Sequence, residues 1–168
     1  GARQVGDIKE ICDIVHPTYG IITSVGIAHL ETFRTTENIR KTKFELADSL
    51  PENGLAFLNF DSTPVASAGY TRPHVSYGLT PGLDCYSDDI SVSEQGTSFT
   101  LHCKGHEPLR LTTRLLGRHN VLNITGAAAL ALHLGVSPAG ITAALRRLKP
   151  VPHRLELKNN GGVIVIDD

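Results

Sequence analysis

The sequence lacks several features that mark common functional classes. No apolar run approaches the roughly 18 residues needed to cross a membrane, and the N-terminus has no signal-peptide pattern. Lysine and arginine never run longer than two in a row, the formal net charge is -1, and aromatic residues make up only 5%. We therefore expect binding neither to nucleic acid nor to an anionic membrane surface.

Cysteine is scarce and methionine is absent. Cys12, Cys85 and Cys103 are far apart, and none lies in a CxxC or Cys/His ligand spacing. We therefore expect neither a disulfide framework nor a zinc site, and a reduced, cytoplasmic setting fits best. Because the chain begins GARQVGDI without methionine and stops at the strand-like GGVIVIDD, we expect it to be a piece of a longer protein.

The pattern of apolar residues in the first half of the 168-residue chain predicts alternating helices and strands. The segment DIKEICDIV favours a helix with Asp7 as its cap and an apolar face formed by Ile8, Ile11, Cys12 and Val15. The predicted elements are a helix over 7–15, a strand over 19–25, a helix over 36–50 capped by Thr35 or Thr36, and strands over 55–61 and 74–78. This order predicts an α/β fold with a mostly parallel, P-loop-type or Rossmann-like sheet covered by helices.

The second half changes character. Residues 84–113 alternate polar and apolar side chains between turn sequences, which predicts antiparallel hairpins. Two helices should follow, one ending near Gly135 and one starting at Ser137 and Pro138. The strand-like RLELK and VIVIDD are joined by NNGG, a strong turn signal. We place a domain boundary near residues 150–153, which divides the chain into domains 1–150 and 151–168.

His29 follows a predicted buried strand, with Glu31 close behind it. In a parallel sheet, ligands collect beyond the carboxyl ends of the strands, and neutral imidazole binds divalent metals. A nearby carboxylate can orient such a histidine. A packing role in the loop is the alternative, and the spacing leaves both open.

Two further segments could carry chemistry. Lys43 lies on a helix rich in charge, but Phe44 and the pair Leu46-Ala47 bracket it on the apolar side. A solvated helix face, with Glu37 paired to Lys41, is the simpler interpretation of that helix.

In LLGRHNVLNITG, Asn120 and Asn123 share a face at a helix start, preceded by His119. Amide side chains donate and accept at once, as reading a purine edge requires, although asparagine also caps helices.

Arg154 and Asp168 complete the candidates, as partners for a phosphate and for a ribose hydroxyl. A structural ion pair of Arg154 with Glu156 or Asp168 is equally compatible with the sequence. No GxxxxGK[ST] loop and no GxGxxG occurs, so nothing in this chain can cradle a triphosphate in the P-loop manner.

In order and spacing, these segments resemble the Mur ligases, the ATP-dependent amide-bond ligases of peptidoglycan synthesis. The segments that carry the resemblance are GARQVGDIKEICDIVHPTYGIITSVGIAHLETF, KFELADSLPENGLAFLNFD, LLGRHNVLNITGAAALA, PVPHRLE and VIVIDD. It covers nearly the whole chain and is weakest across residues 84–113. GARQVGDI, AHLE and LPENG point to the members that add D-alanyl-D-alanine to UDP-N-acetylmuramoyl-tripeptide through an acyl phosphate.

The resemblance implies ATP and Mg²⁺ as cofactors and assigns the following roles. His29 matches a magnesium ligand, and Lys43 matches a lysine that is carbamylated to become an anionic metal ligand. Asn123 matches the asparagine that faces adenine, with His119 and Asn120 beside it. Arg154 matches an arginine near the nucleotide and Asp168 an aspartate that holds the ribose.

The resemblance also shows what is missing. The P-loop, a metal-binding glutamate, the UDP-binding domain and nearly all of the C-terminal domain have no counterpart in the chain, so we expect it to be catalytically inert alone. By this resemblance, residues 1–150 are part of the central ATP-binding domain and residues 151–168 are the start of the C-terminal domain. A sister Mur-type or folylpolyglutamate ligase is one alternative. A non-catalytic Rossmann-like interaction module is the other.

Overall fold

The structure is a computed structural model that describes residues 2–26, 33, 35–149, 156–160 and 163–167. Its first half contains α1 (Asp7–Val15), β1 (Tyr19–Ile22), α2 (Thr36–Asp48), β2 (Leu55–Asn59), the short α3 (Thr63–Ala66) and β3 (His74–Gly78). Its second half contains β4 (Cys85–Ser93), β5 (Gly96–Cys103), β6 (Leu109–Thr113), α4 (Arg118–His133), α5 (Pro138–Arg147), β7 (Glu156–Asn160) and β8 (Val163–Asp167).

The strands β1 to β6 form one mixed sheet in chain order, and β7 pairs with β8 in a separate two-stranded sheet. The pairs β1–β2 and β2–β3 are parallel, with Ile22 opposite Leu58 and Asn59 opposite Tyr77. The pairs β5–β6 and β7–β8 are antiparallel. The predicted α/β class, with a parallel part and an antiparallel hairpin region, is confirmed.

The chain divides into two compact units, Gly1–Gly78 with Gly82–Cys85, and Leu79–Pro81 with Tyr86–Asp168. The domain boundary predicted near residues 150–153 lies outside the described residues and stays a prediction.

The core of the first unit lies between α2 and the parallel strands. Ala56 and Leu58 of β2 are fully buried, and they pack in one cluster with Ile39, Phe44 and Ala47 of α2. Alternation is absent from β2, where four residues in a row are buried, as expected of a strand covered on both faces.

Helix α2 is fixed at both ends by side chains. Thr35 caps its start by accepting a hydrogen bond from the backbone N–H of Asn38, 3.1 Å away, so of the two predicted caps Thr35 is the correct one. At its end, the Arg72 guanidinium donates to four backbone carbonyls, those of Ala47, Asp48, Leu50 and Pro51. A planar fork of donors suits a helix C-terminus, where carbonyls lack intrahelical partners.

Helix α1 has the predicted bounds but not the predicted packing. Of its apolar face only Cys12 is buried, while Ile11 and Val15 are 47% and 65% exposed. Asp7 does not cap α1, because Gly6 occupies the cap position and the Asp7 carboxylate accepts from the N–H groups of Arg3 and Gln4. The Glu45 carboxylate on α2 accepts hydrogen bonds from the backbone N–H groups of Gly6 and Lys9. Polar contacts therefore join α1 to α2.

Cys85 and Cys103 are disulfide-bonded, whereas Cys12 is a buried free thiol. The expectation of unpaired cysteines is therefore wrong for two of the three. The two residues lie on β4 and β5, and the sequence around them contains no local signal of a disulfide.

Candidate functional site

Of the site residues predicted in the first unit, Lys43 is the one that the structure describes. It lies on α2 between the buried Thr42 and Phe44, is itself half-buried, and its Nζ donates to the backbone carbonyl of Ser24, 2.5 Å away. Ser24 lies two residues past the last residue of β1, at the carboxyl end of the parallel strands, where α/β proteins bind ligands. The Lys43 Nζ therefore lies near the carboxyl end of β1.

The ion pair expected to occupy that solvated face has a different partner. Glu37 pairs with Arg40 at 2.8 Å, and not with Lys41. Hydrogen bonds from the Arg40 guanidinium lower the pKa of Glu37. Arg40 and Glu37 are three residues apart, a spacing that brings helical side chains together as well as four does.

Two buried side chains hold the chain where it leaves β1. The Asn59 Nδ2 donates to the Thr23 carbonyl at 2.5 Å, and the Tyr77 hydroxyl donates to the Ile22 carbonyl at 3.3 Å. Asn59 is 2% exposed and Tyr77 is fully buried. Burial raises the pKa of the Tyr77 hydroxyl well above its ordinary value, which keeps it protonated and able to donate.

The chain is anchored again where it returns to α2. Phe33 is 5% exposed and belongs to the same core cluster as Ile22 and Val25. Its carbonyl accepts from the Asn38 side chain at 2.9 Å and from the Thr35 N–H at 2.7 Å. Residues 27–32, which include His29 and Glu31, thus lie in sequence between two anchored segments, and they are outside the described residues themselves.

Lys43 fits a magnesium site only in a modified form. An ammonium group cannot ligate a metal, whereas a carbamate supplies the carboxylate oxygens that Mg²⁺ prefers. Carbamylation would place that carboxylate beside Ser24, in the segment that leads to His29. Among the described residues, no cluster of three or more His, Cys, Asp or Glu side chains could hold a metal.

The second unit contains the candidate residues at the start of α4. Gly117 occupies the cap position with φ 88°, a left-handed conformation that glycine adopts without strain. The buried Thr97 of β5 fixes this turn, because its Oγ1 donates to the Leu115 carbonyl at 2.8 Å and accepts from the Gly117 N–H at 3.2 Å. No side chain caps α4, so capping does not account for its asparagines.

The three candidate residues of α4 differ in their contacts. Asn120 is half-buried, and its Nδ2 donates to the Leu116 carbonyl at 2.8 Å, which leaves its Oδ1 to accept. His119 and Asn123 are exposed. Asn123 lies one turn beyond Asn120, so the two amides share a face as the sequence predicts. An exposed amide beside an anchored one can both donate to and accept from a planar base.

The remaining predicted site residues are not described. His29, Arg154 and Asp168 lie outside the described residues, and so does Glu31. Their assignments stay predictions. Lys43 belongs to the first unit, and His119, Asn120 and Asn123 belong to the second, where each set is held by the contacts of its own unit.

The sequence reasoning missed the residues that support these positions, namely Asn59, Tyr77 and Thr97. Asn59 had a signal, because it is the one polar residue in the otherwise apolar LAFLNF. Tyr77 and Thr97 had none, since tyrosine and threonine are ordinary strand residues and their hydrogen bonds join positions 55 and 18 residues apart in the chain.

Comparison with known proteins identifies the family. The family described as "Mur ligase middle domain" matches residues 1–131. The chain belongs to this family. The family resemblance inferred from the sequence motifs is thereby confirmed.

Individual Mur ligases are similar over most of the chain. UDP-N-acetylmuramoyl-tripeptide–D-alanyl-D-alanine ligase of Bacillus subtilis (strain 168) is 31% identical over 100% of the chain and 36% of its own length. UDP-N-acetylmuramate–L-alanine ligase of Desulfatibacillum aliphaticivorans is 32% identical over 90% of the chain and 34% of its own length. The crystal structure of the Thermotoga maritima MurF ligase in complex with ADP superposes with a TM-score of 0.86 at 27% identity, over 99% of this chain and 38% of that one.

The chain spans about a third of the length of the curated relatives it matches. Both relatives are named as ligases, and both names include a UDP-N-acetylmuramate compound. Within the described part of the chain, no helix is both long and apolar enough to cross a membrane.

Proposed function

We propose that the chain is the nucleotide-binding and metal-binding part of an ATP-dependent ligase that adds D-alanyl-D-alanine to UDP-N-acetylmuramoyl-tripeptide in the cytoplasm. The observation that carries the proposal is the position of Lys43 at the carboxyl end of β1, in a chain that aligns along its whole length with a ligase of that specificity. Disulfide-bonded cysteines would be unusual in a reduced compartment, so the number of free thiols in the protein is a direct check on the cellular location.

The proposed site residues form a metal site and an adenine-binding site. His29 and Lys43, the latter as its carbamate, would hold Mg²⁺, which neutralises charge on the phosphates when bound. His119, Asn120 and Asn123 would bind the adenine at the start of α4, Arg154 would contact the nucleotide, and Asp168 would hold the ribose. The ADP bound to the Thermotoga maritima ligase supports a nucleotide as the ligand of this fold.

In the proposed reaction the covalent changes take place in the substrates, and the protein mainly binds and positions them. The tripeptide carboxylate attacks the γ-phosphorus of ATP, which forms an acyl phosphate and releases ADP. The amine of D-alanyl-D-alanine attacks the acyl carbon, and collapse of the tetrahedral intermediate releases phosphate. Positioning and charge neutralisation supply most of the rate enhancement in such transfers. No phosphate cradle is present in the sequence, so the 168-residue chain alone is expected to be inactive.

The test is phosphate release by the full-length gene product with ATP, Mg²⁺ and UDP-N-acetylmuramoyl-tripeptide. Release that requires D-alanyl-D-alanine supports the proposal. Release that requires UDP-N-acetylmuramate and L-alanine instead would assign the protein to a sister ligase, a candidate favoured by the 32% identity to the Desulfatibacillum enzyme. Release with a folate and glutamate would indicate a folylpolyglutamate ligase. No release with any acceptor would favour a non-catalytic interaction module.

A further inference from the structure

Two buried threonines of neighbouring strands hold the turn that connects β6 to α4. Thr97 of β5 and Thr113 of β6 are opposite each other in the antiparallel pair, and both are at most 2% exposed. The Oγ1 of Thr97 donates to the Leu115 carbonyl at 2.8 Å and accepts from the Gly117 N–H at 3.2 Å. The Oγ1 of Thr113 accepts from the Leu115 N–H at 3.3 Å, so threonine side chains bind both backbone groups of Leu115.

The hydroxyl of Thr97 is unusual for its place in the strand. Thr97 points to the same side of β5 as Phe99 and Leu101, which are buried and apolar. A buried hydroxyl is costly unless it is hydrogen-bonded, and its bonds here do little more than offset its lost contacts with water. What the hydroxyl provides is direction, because it fixes an acceptor and a donor of the turn at once.

The turn anchors Asn120 through one planar peptide group. The Leu116 carbonyl and the Gly117 N–H belong to the same peptide bond, which is planar and trans, so they point in opposite directions. Thr97 accepts from that N–H on one side, and the Asn120 Nδ2 donates to that carbonyl at 2.8 Å on the other. The Thr97 hydroxyl therefore fixes the orientation of the acceptor that holds the Asn120 amide.

The same turn also leaves space for a second candidate residue. The Asn120 backbone N–H donates to the Gly117 carbonyl at 3.2 Å, which continues the contact into the first turn of α4. A Cβ on Gly117 would lie 3.1 Å from two atoms of the His119 ring, so glycine at this position leaves space for the imidazole. Both His119 and Asn120 thus depend on the geometry of the turn.

We propose that Thr97 is a positioning residue for adenine recognition, which acts through the turn between β6 and α4 to set the direction of the Asn120 amide. This inference rests on the proposed function for its ligand, the adenine base. Thr97 is fully buried and does not touch the base itself. Because the Leu116 carbonyl holds the Nδ2 of Asn120, the Oδ1 of the same amide is directed outward to accept from an amino group.

The test uses Thr97→Val and Thr97→Ser in the full-length gene product, with Thr125→Val as the matched control. Valine has nearly the shape of threonine but lacks the hydroxyl, whereas serine keeps it. Thr125 is an equally buried threonine of α4, and its hydroxyl bonds to the Val121 carbonyl at 2.8 Å and to the Ser87 hydroxyl at 2.7 Å. Thr125→Val therefore removes a buried hydroxyl from the same helix without removing a bond to the turn.

Isothermal titration calorimetry gives the dissociation constants of ADP and of inosine diphosphate, so no turnover is required. Inosine carries a carbonyl where adenine carries an amino group, and an acceptor such as the Asn120 Oδ1 distinguishes the two. We expect Thr97→Val to raise the dissociation constant of ADP about fivefold, the loss of one hydrogen bond, and that of inosine diphosphate less. Thr97→Ser should bind ADP like the wild type. Thr125→Val should lower the unfolding temperature but keep the wild-type preference for ADP.

The proposal is overturned if Thr97→Val keeps the wild-type preference for ADP, even when its unfolding temperature falls, since the hydroxyl then has only a structural role. If Thr97→Val fails to fold, Thr113→Val takes its place, because it removes a single acceptor from the turn. Its preference for ADP should also fall, and an unchanged preference would overturn the proposal.

The two proposals fail in different ways. A wild-type protein that binds ADP and inosine diphosphate equally would refute the adenine role in the proposed function, and the positioning role of Thr97 with it. A wild-type preference for ADP that survives the loss of the Thr97 hydroxyl would overturn the positioning role alone.

Discussion

The Lys43 ammonium group donates a hydrogen bond to the backbone carbonyl of Ser24, 2.5 Å away. Carbamylation would turn the positive charge of this side chain into a negative one while leaving one N–H on the nitrogen. The contact with Ser24 can therefore persist while the new carboxylate becomes available to a metal ion. An exposed lysine on the same helix, such as Lys41, has no comparable position at the end of a strand.

Tyr77 should make stability depend on pH in the alkaline range. Burial raises the pKa of its hydroxyl, so the folded state keeps the proton that the unfolded chain loses near pH 10. Its contribution is fully present below about pH 10, and the free energy of unfolding then falls as the pH rises further. Urea unfolding between pH 8 and 11 should show a shallower decline for Tyr77→Phe than for the wild type. Equal slopes would contradict this account.

Substitutions of Asn120 and Asn123 should differ in their effect on the free energy of unfolding, because only Asn120 makes a hydrogen bond within the fold. Asn123→Ala should change the free energy of unfolding by less than about 0.5 kcal/mol, because the side chain is exposed. Asn120→Ala loses the bond to the Leu116 carbonyl and should cost about 1 kcal/mol.

Calorimetric titration of the full-length gene product tests the recognition role. Asn123→Ala should weaken ADP binding by about tenfold and reduce the preference for ADP over inosine diphosphate. An unchanged preference would remove Asn123 from the adenine site.

Most of the fold could be predicted from the sequence, because local signals decide it. Thr35 and Ser137 cap two helices, and the observed starts of these helices lie within one residue of the predicted starts. The alternation of polar and apolar residues predicted the strands β4 to β6. The apolar face of α1 did not indicate which residues are buried, since Ile11 and Val15 are exposed. The start of α1 is instead hydrogen-bonded to the Glu45 carboxylate on α2. Long-range pairings of this kind have no local signature.

The site could be predicted only in part. Lys43 was selected as a candidate because its apolar neighbours were unusual for a lysine and because it matched a family motif, and its role stays a prediction. The hydrogen bonds that hold the backbone near Lys43 were not predicted. The bond from Tyr77 to the Ile22 carbonyl, for example, joins residues that only the parallel register of β1, β2 and β3 brings together.

Gly96→Ala should destabilise the protein more than Gly105→Ala, because a side chain at position 96 would clash with the backbone. Both have positive φ, 128° and 80°, but a Cβ on Gly96 would lie 2.0 Å from the Thr113 carbonyl oxygen, whereas no described heavy atom lies within 4 Å of one on Gly105. Gly105→Ala should cost only backbone strain, about 1–2 kcal/mol. Gly96→Ala should cost about 1–3 kcal/mol more, measured by urea unfolding of the chain. Similar losses for both would show that strain alone matters.

Arg72 should stabilise α2 through its fork of donors as well as its charge. Arg72→Lys keeps the charge but cannot reach four carbonyls at once, so the free energy of unfolding should fall by about 1–3 kcal/mol. Arg40→Lys is the control, because Arg40 forms an exposed pair with Glu37 that should contribute little to stability. If the two variants unfold alike, the charge of Arg72 suffices.

The most direct test of the account is phosphate release by Lys43→Ala in the full-length gene product, with and without added acetate or formate. Lys41→Ala, an exposed lysine on the same helix, is the matched control. We predict that Lys43→Ala loses activity and regains part of it when a short carboxylic acid replaces the missing carbamate, while Lys41→Ala behaves like the wild type. Wild-type turnover by Lys43→Ala would contradict the assignment of Lys43 to the metal site.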